Sequence, residues 1–316
     1  MAKTCQTLAV IFAFLIPSIA HAIDLRFPVA CRLMDHCWVT NHVDLENREG
    51  ITKDYMCGDK ANDGSKSTHI SLASRSTFNQ NIPVIAAADG IIKVAKNVGG
   101  FCGVRVAIDH DKGWESSYCH LKNGSLQVQK GQHVRAGQIL GAVGMSGETN
   151  WPHLSYALMR NGMIFDPFSN RTSLEGCSGQ GTPMWAGGVN PLYEPANVTS
   201  IGFTTGSTRN NDIHNGTVKS LSKISTDTSQ ISLWGLIMNV RSGDKIDLEI
   251  KTPSGRVLNN AQVTAERSQN YYPVFFPTLR QNFLWNTGIY TGKMTITRNV
   301  NGNKITVGKT SKIEMY

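Results

Sequence analysis

A mainly β chain built of two successive antiparallel β blocks is what this sequence predicts, and three observations predict it. Short segments rich in Val and Ile alternate with glycine-bearing turns, helical periodicity is scarce, and charged residues are only 17% of a 316-residue chain that carries 30 glycines. Removing 22 N-terminal residues as a leader leaves 294, enough for two domains with ordinary hydrophobic cores.

The leader is expected at residues 1–22. Lys3 gives it a positive start, Leu8 to Ile16 an apolar stretch, and Ala20-His21-Ala22 the small residues that a signal peptidase needs before Ile23. The expected consequence is export to a periplasm or the extracellular space. No later run is apolar enough to cross a bilayer, so no transmembrane segment is expected after cleavage. Cys5 leaves with the leader. Six cysteines remain, Cys31, Cys37, Cys57, Cys102, Cys119 and Cys177, and in an exported chain an even set without CxxC spacing reads as a disulfide framework. Cys31 with Cys37 would close a short loop and Cys102 with Cys119 would flank a hairpin, which leaves Cys57 for Cys177.

The first block is expected over residues 23–175. Its strands are read at Val84 to Ala87, Gly90 to Ala95, Val104 to Asp109, Trp114 to His120, Ile139 to Val143 and His153 to Arg160. A Gly-rich linker follows at 176–195. From 196 to 316 the alternation resumes at Ile231 to Met238, Lys245 to Lys251, Pro273 to Pro277 and Lys293 to Asn299, with Ser242-Gly243, Asn259-Asn260 and Asn301-Gly302 as turns. A small Ig-like or fibronectin-like β-sandwich is expected there, its core anchored by Trp234 and Trp285.

The formal net charge is +8, or +7 without Lys3. Outside the cytoplasm such a balance favours wall polymers or an anionic membrane surface over nucleic acid, and no block of consecutive Lys or Arg concentrates it. Dinucleotide chemistry is disfavoured because the helices it needs are missing from the pattern.

Chemistry concentrates in two segments, Tyr118-Cys119-His120-Leu121 and Trp151-Pro152-His153-Leu154-Ser155-Tyr156. Together with Asp63-Gly64-Ser65-Lys66-Ser67-Thr68-His69-Ile70, Val84 to Gly90, Val106 to His110, Lys130 to Val134 and Gly137 to Gly141, they follow in order the pattern of the lysostaphin-like, LytM-type M23 zinc metallopeptidases, which the chain resembles over roughly residues 55 to 168. The resemblance implies an antiparallel LytM/M23-like β-domain and an ancestry in cutting the peptide cross-bridges of peptidoglycan. In that family zinc is held by the His and Asp of a His-x-x-x-Asp motif and by the second His of His-x-His. Carried over, the first His position is Ser65, the Asp position is His69 and the last is Ser155. A second register would put His69 and Ala73 on the first motif; Asp63-Gly64 and Thr68 favour the former. His120 and His153 match the two histidines that act beside the metal in active relatives, so they are the candidate catalytic residues, and Ser65, His69 and Ser155 the candidate binding groove. His110 and His133 are read as structural.

A catalytic zinc needs three good donors and one open position, and hydroxyls at Ser65 and Ser155 are neither imidazole nor carboxylate. No cofactor is therefore expected; the alternative is zinc held by His69, His120 and His153. A Ser/His hydrolase lacks a nucleophile elbow and an evident oxyanion hole. The leading functional expectation is a non-catalytic exported protein that binds peptidoglycan or a cell-wall hydrolase through the former substrate groove, as degenerate members of the family activate wall amidases. The alternatives are an M23-type zinc endopeptidase using a rearranged site, and an interaction protein whose C-terminal sandwich meets the partner. Nothing in the sequence sets the oligomeric state.

Overall fold

A computed structural model describes residues 23–188, 193–281, 284–300 and 302–316. The expected leader lies outside these residues. The first block contains β1 (Cys37–Asn41), β2 (Thr68–Leu72), β3 (Pro83–Ile85), β4 (Gly90–Asn97), β5 (Val104–Asp109), β6 (Trp114–Leu121), β7 (His133–Val134), β8 (Ile139–Ala142), β9 (His153–Arg160) and β10 (Met163–Phe165). Its main sheet runs β1-β2-β9-β6-β5-β4-β7, with β10 beside β9 and a separate β3-β8 pair; all the pairings are antiparallel. Alternation explains the layering. Ile70 and Leu72, Val104, Val106 and Ile108, and Leu154, Tyr156 and Leu158 turn inward to a single core, and each is 3% exposed or less.

Three disulfides brace this block, joining Cys31 to Cys37, Cys57 to Cys177 and Cys102 to Cys119. Much of the expected linker is no free tether. Met184 and Trp185 are buried in the first core, and Trp185 bridges to Leu25 near the start of the described chain.

The second block holds β11 (Asn197–Thr205), α1 (Asn210–Asn215), β12 (Lys223–Ile224), β13 (Gln230–Val240), β14 (Lys245–Lys251), β15 (Val257–Thr264), β16 (Gln269–Leu279), β17 (Gly288–Val300) and β18 (Asn303–Met315). One sheet is β11-β13-β16 and the other β12-β18-β17-β14-β15, with β12 parallel to β18. Phe203 and Leu233 of the first sheet share a core with Ile246, Ile250 and Met294 of the second. Close approach needs glycine here: a Cβ on Gly292 would sit 2.4 Å from a Leu233 methyl and one on Gly235 2.6 Å from the Met294 methyl. The block is thus a two-sheet β domain. Trp285 lies in its core, whereas Trp234 is only partly buried and belongs to a different cluster.

That cluster joins the two blocks. Trp38, Ala73 and Trp151 of the first pack with Ile213, Leu236 and Met238 of the second, and the Asn239 amide donates to the Val39 carbonyl at 3.1 Å. Beside it, the Arg298 guanidinium holds Asp244 through two bonds of 2.9 and 2.7 Å and also donates to the Glu194 carbonyl at 2.7 Å. Asp244 is 2% exposed, so removing its partner strands a buried charge. Arg298→Leu is expected to cost about 3–5 kcal/mol of unfolding free energy, measured by urea titration; a loss under about 1 kcal/mol would mean the pair behaves like an exposed one.

Candidate functional site

The edge of the main sheet where β1, β2, β9 and the end of β6 meet brings three imidazoles together. In the β2-β9 ladder His69 pairs with Ser155 and Ser71 with His153, and side chains two apart on a strand share a face, so Ser67, His69 and Ser71 line up against His153 and Ser155. The ring centroids of His69 and His153 are 4.8 Å apart and those of His120 and His153 4.5 Å. His120 enters from β6 with a left-handed φ of 65°, an unusual conformation for a residue with a Cβ. Its backbone N–H donates to the Cys102 carbonyl at 2.9 Å, and the Cys102–Cys119 disulfide ties together the two segments that hold it.

Two of the rings have their tautomers set by carbonyl groups, which can only accept. His120 Nδ1–H donates to the Ser146 carbonyl at 2.8 Å, and His153 Nδ1–H to the Trp151 carbonyl at 2.9 Å. Their Nε2 atoms are left as lone-pair acceptors. His153 Nε2 is buried and has no hydrogen-bond partner. Burial is the main cause that drives these groups toward the neutral form: His153 is lowered to about 3 and His69 to about 4, each further depressed by the neighbouring histidines, and His120 is lowered as well.

The sequence-derived groove residues separate. His69 lines the cleft, and Ser155 is its partner in the β2-β9 ladder. Ser65 precedes β2, donates to the Ser67 carbonyl at 3.2 Å, and lines a different hollow with Asp44, Glu46 and Asp63. Ser67 takes its place: the Ser155 hydroxyl donates to Ser67 Oγ at 2.8 Å. At the other end of the row, Ser71 Oγ bonds Thr40 Oγ1 at 2.7 Å and the Tyr271 hydroxyl at 2.9 Å. Sequence reasoning missed Ser67 and Ser71, although they repeat the i, i+4 spacing of His-x-x-x-Asp two residues beyond the register chosen there. His110 is buried with both ring nitrogens engaged, by the Asp89 carbonyl and Ser116 Oγ, and His133 is exposed.

The second block roofs the cleft. Tyr271 from β16 stacks on Trp151 at 3.9 Å between centroids, while Asn270 donates to Asn41 Oδ1 at 2.8 Å and accepts from Lys60 Nζ at 2.6 Å. Beneath lies a cavity of about 260 Å³ lined by His69, His120, His153, Phe101, Glu148 and Asn62 among others. The zinc that the family resemblance implies finds no matching donor set here. Hydroxyls on Ser67, Ser71 and Ser155 are bonded to neighbouring hydroxyls, and among the described residues no group of three or more His, Cys, Asp or Glu is arranged to hold a metal ion.

Residues 72–167 match the family model "Peptidase family M23". The chain is 40% identical over 90 residues to the DD-carboxypeptidase/endopeptidase Mpg of Neisseria meningitidis serogroup B, covering 28% of this chain and 20% of that protein. It is 36% identical over 89 residues to the murein hydrolase activator EnvC of Escherichia coli, covering 28% and 20%. It thus spans about a fifth of the length of these curated relatives. Among solved structures, the catalytic domain of lysostaphin from Staphylococcus simulans is similar at 25% identity and a TM-score of 0.29, over 40% of this chain and 85% of that one.

Neutral buried imidazoles carry a pH signature. Their native pKa values lie below the unfolded value of 6.5, so their contribution to stability is complete above 6.5 and is lost as the pH falls towards 4 and 3, because the unfolded chain binds protons that the cleft refuses. Each fully neutral histidine contributes a slope of up to about 1.4 kcal/mol per pH unit. His153→Gln should flatten the fall in urea midpoint between pH 6.5 and 4; an unchanged slope would place the pH sensitivity elsewhere.

Proposed function

With residues 72–167 belonging to peptidase family M23, we propose that this chain acts without catalysis, as an exported protein that binds peptidoglycan or regulates a cell-wall hydrolase. The observation that carries the reading is the row Ser67, Ser71 and Ser155. In the β2-β9 register, Ser67 and Ser71 bracket the residue that faces Ser155, as the His and Asp of the family motif must bracket the second His of His-x-His if all three are to meet one ion. On this geometry the ligand positions are Ser67, Ser71 and Ser155, and all three carry hydroxyls. A neutral hydroxyl supplies neither the charge nor the nitrogen lone pair that holds zinc, so the Lewis acid that activates water in this chemistry has no seat.

Two further features support this reading. Proteins similar to the chain include one named a DD-carboxypeptidase/endopeptidase and one named a murein hydrolase activator, which places both cutting and regulation of wall polymers among its relatives. Asn270 and Tyr271 of the second block line one side of the former substrate groove, where Tyr271 stacks on Trp151 and narrows the space for an extended peptide. The reading that competes is a zinc endopeptidase using His69, His120 and His153, favoured by their close spacing.

Incubation of the purified chain with isolated peptidoglycan sacculi separates the two. The proposal expects the protein to sediment with sacculi, or with a sacculus-bound amidase, while the supernatant gains no muropeptides. Release of soluble muropeptides that disappears in His153→Ala would overturn it.

A further inference from the structure

Residues 23–195 carry 16 Lys and Arg against 16 Asp and Glu and net to zero, whereas residues 196–316 carry 14 against seven, so the second block holds the whole excess of +7. Strand alternation gathers part of it on one face. Ile246, Leu248 and Ile250 of β14 and Tyr290, Met294 and Ile296 of β17 are buried, which turns the odd-numbered residues of both strands outward, Lys245 and Lys293 among them. The β17-β18 register puts Lys304 and Lys312 on the same face, with Thr295, Thr297, Thr306 and Thr310 between. The three acids of this face are each engaged. Asp247 accepts from the Gln262 amide at 2.6 Å, Glu314 pairs with Lys223 at 2.8 Å, and Glu249, which faces Lys293 across the ladder, is held by Lys251 at 3.2 Å. Lys309 is turned aside to the Thr199 carbonyl at 2.8 Å. Lys245, Lys293, Lys304 and Lys312 are left exposed, and among the described residues none of the four forms an ion pair.

We propose that this face of the second block is the surface that docks on peptidoglycan, its exposed lysines meeting the carboxylates that the stem peptides repeat along the polymer. The proposal deepens the wall-binding reading above, on which it rests, by naming the surface. Three observations select this occupant. Lys304 and Lys312 stand eight residues apart on β18, about 26 Å at ~3.3 Å per residue, and Lys293 lies on the neighbouring strand beside Thr310, so the charges form a stripe for an extended polyanion rather than a seat for one small anion. Protection of a sheet edge would explain lysines on β18 but not Lys245 and Lys293, which stand on the interior strands β14 and β17. No aromatic or large apolar side chain lies among the four lysines on this face, whereas burial at a lipid surface needs an apolar one. Each exposed charge contact is weak, and several made to one polymer reinforce one another.

The test is co-sedimentation of the disulfide-bonded chain with protein-free peptidoglycan sacculi. Lys293→Gln/Lys304→Gln/Lys312→Gln should bind about tenfold more weakly with an unchanged urea midpoint, while Lys293→Arg/Lys304→Arg/Lys312→Arg keeps the wild-type affinity. Lys96→Gln/Lys130→Gln/Arg135→Gln, at exposed positions of the first block, lowers the net charge equally and should leave binding unchanged. Binding should be lost on sacculi whose carboxylates have been amidated, and in ~1 M salt, where the screening length is about 3 Å. Failure of the wild-type chain to sediment, equal loss in the two Gln triples, retention on amidated sacculi, or tighter lysine-dependent binding to phosphatidylglycerol vesicles would each overturn the proposal; the last would mark a membrane surface instead. The non-catalytic reading fails separately. Muropeptide release would sink it even where the lysine dependence held, whereas sacculus binding that ignores these lysines would leave it standing and remove only the surface.

Discussion

In the pairing of β2 with β9, His69 faces Ser155 and Ser71 faces His153, and a slip of one residue would turn each of these side chains to the opposite face of the sheet. The inward-facing partners keep that slip from happening. Ile70 and Leu154 pair on the core side of the same two strands and are fully buried, so the hydrophobic face fixes the polar one. Everything in the cleft inherits this register: the serine row, the meeting of the imidazoles, and the point at which Tyr271 lands.

What the register assembles is an electrostatically quiet pocket. His153 has the rings of both His69 and His120 within 5 Å, and the three would repel if charged; burial already disfavours the charged form, so both effects push the same way. In a metal centre the same crowding is relieved by a cation shared between the rings, with carboxylate or imidazole donors completing the set. Here Ser67, Ser71 and Ser155, which the proposed reading puts in those places, carry hydroxyls that are satisfied by one another and by Thr40 and Tyr271. The serine row and the roof are physically linked, since Ser71 is the residue that bonds Tyr271.

Much of this was legible from sequence, and the parts that were not have identifiable reasons. Short Val- and Ile-rich runs between glycine-bearing turns located β4, β5, β6 and β9 within a residue or two. His120 and His153 were found through ordered motifs. Ser67 and Ser71 were not, because the motif was anchored on Asp63-Gly64, and those residues sit in a turn before β2 whose length sequence alone does not set. Asn259-Asn260, read as a turn, lies inside β15 paired with β14, and that strand and the hairpin arm β18 were not anticipated since their residues are largely solvated and show little apolar alternation. Tyr271 could not be placed in the cleft at all: its contact with Ser71 spans 200 residues and joins two blocks, and nothing local to either segment encodes it.

The central claim of the proposed reading is that this cleft holds no zinc. The most direct measurement is elemental analysis of the native, disulfide-bonded chain after equilibrium dialysis against micromolar Zn²⁺. The account predicts well under ~0.1 equivalent of zinc per chain, with no change on His69→Ala, as expected where a site lacks its three donors. Close to one equivalent, lost in His69→Ala, would contradict it.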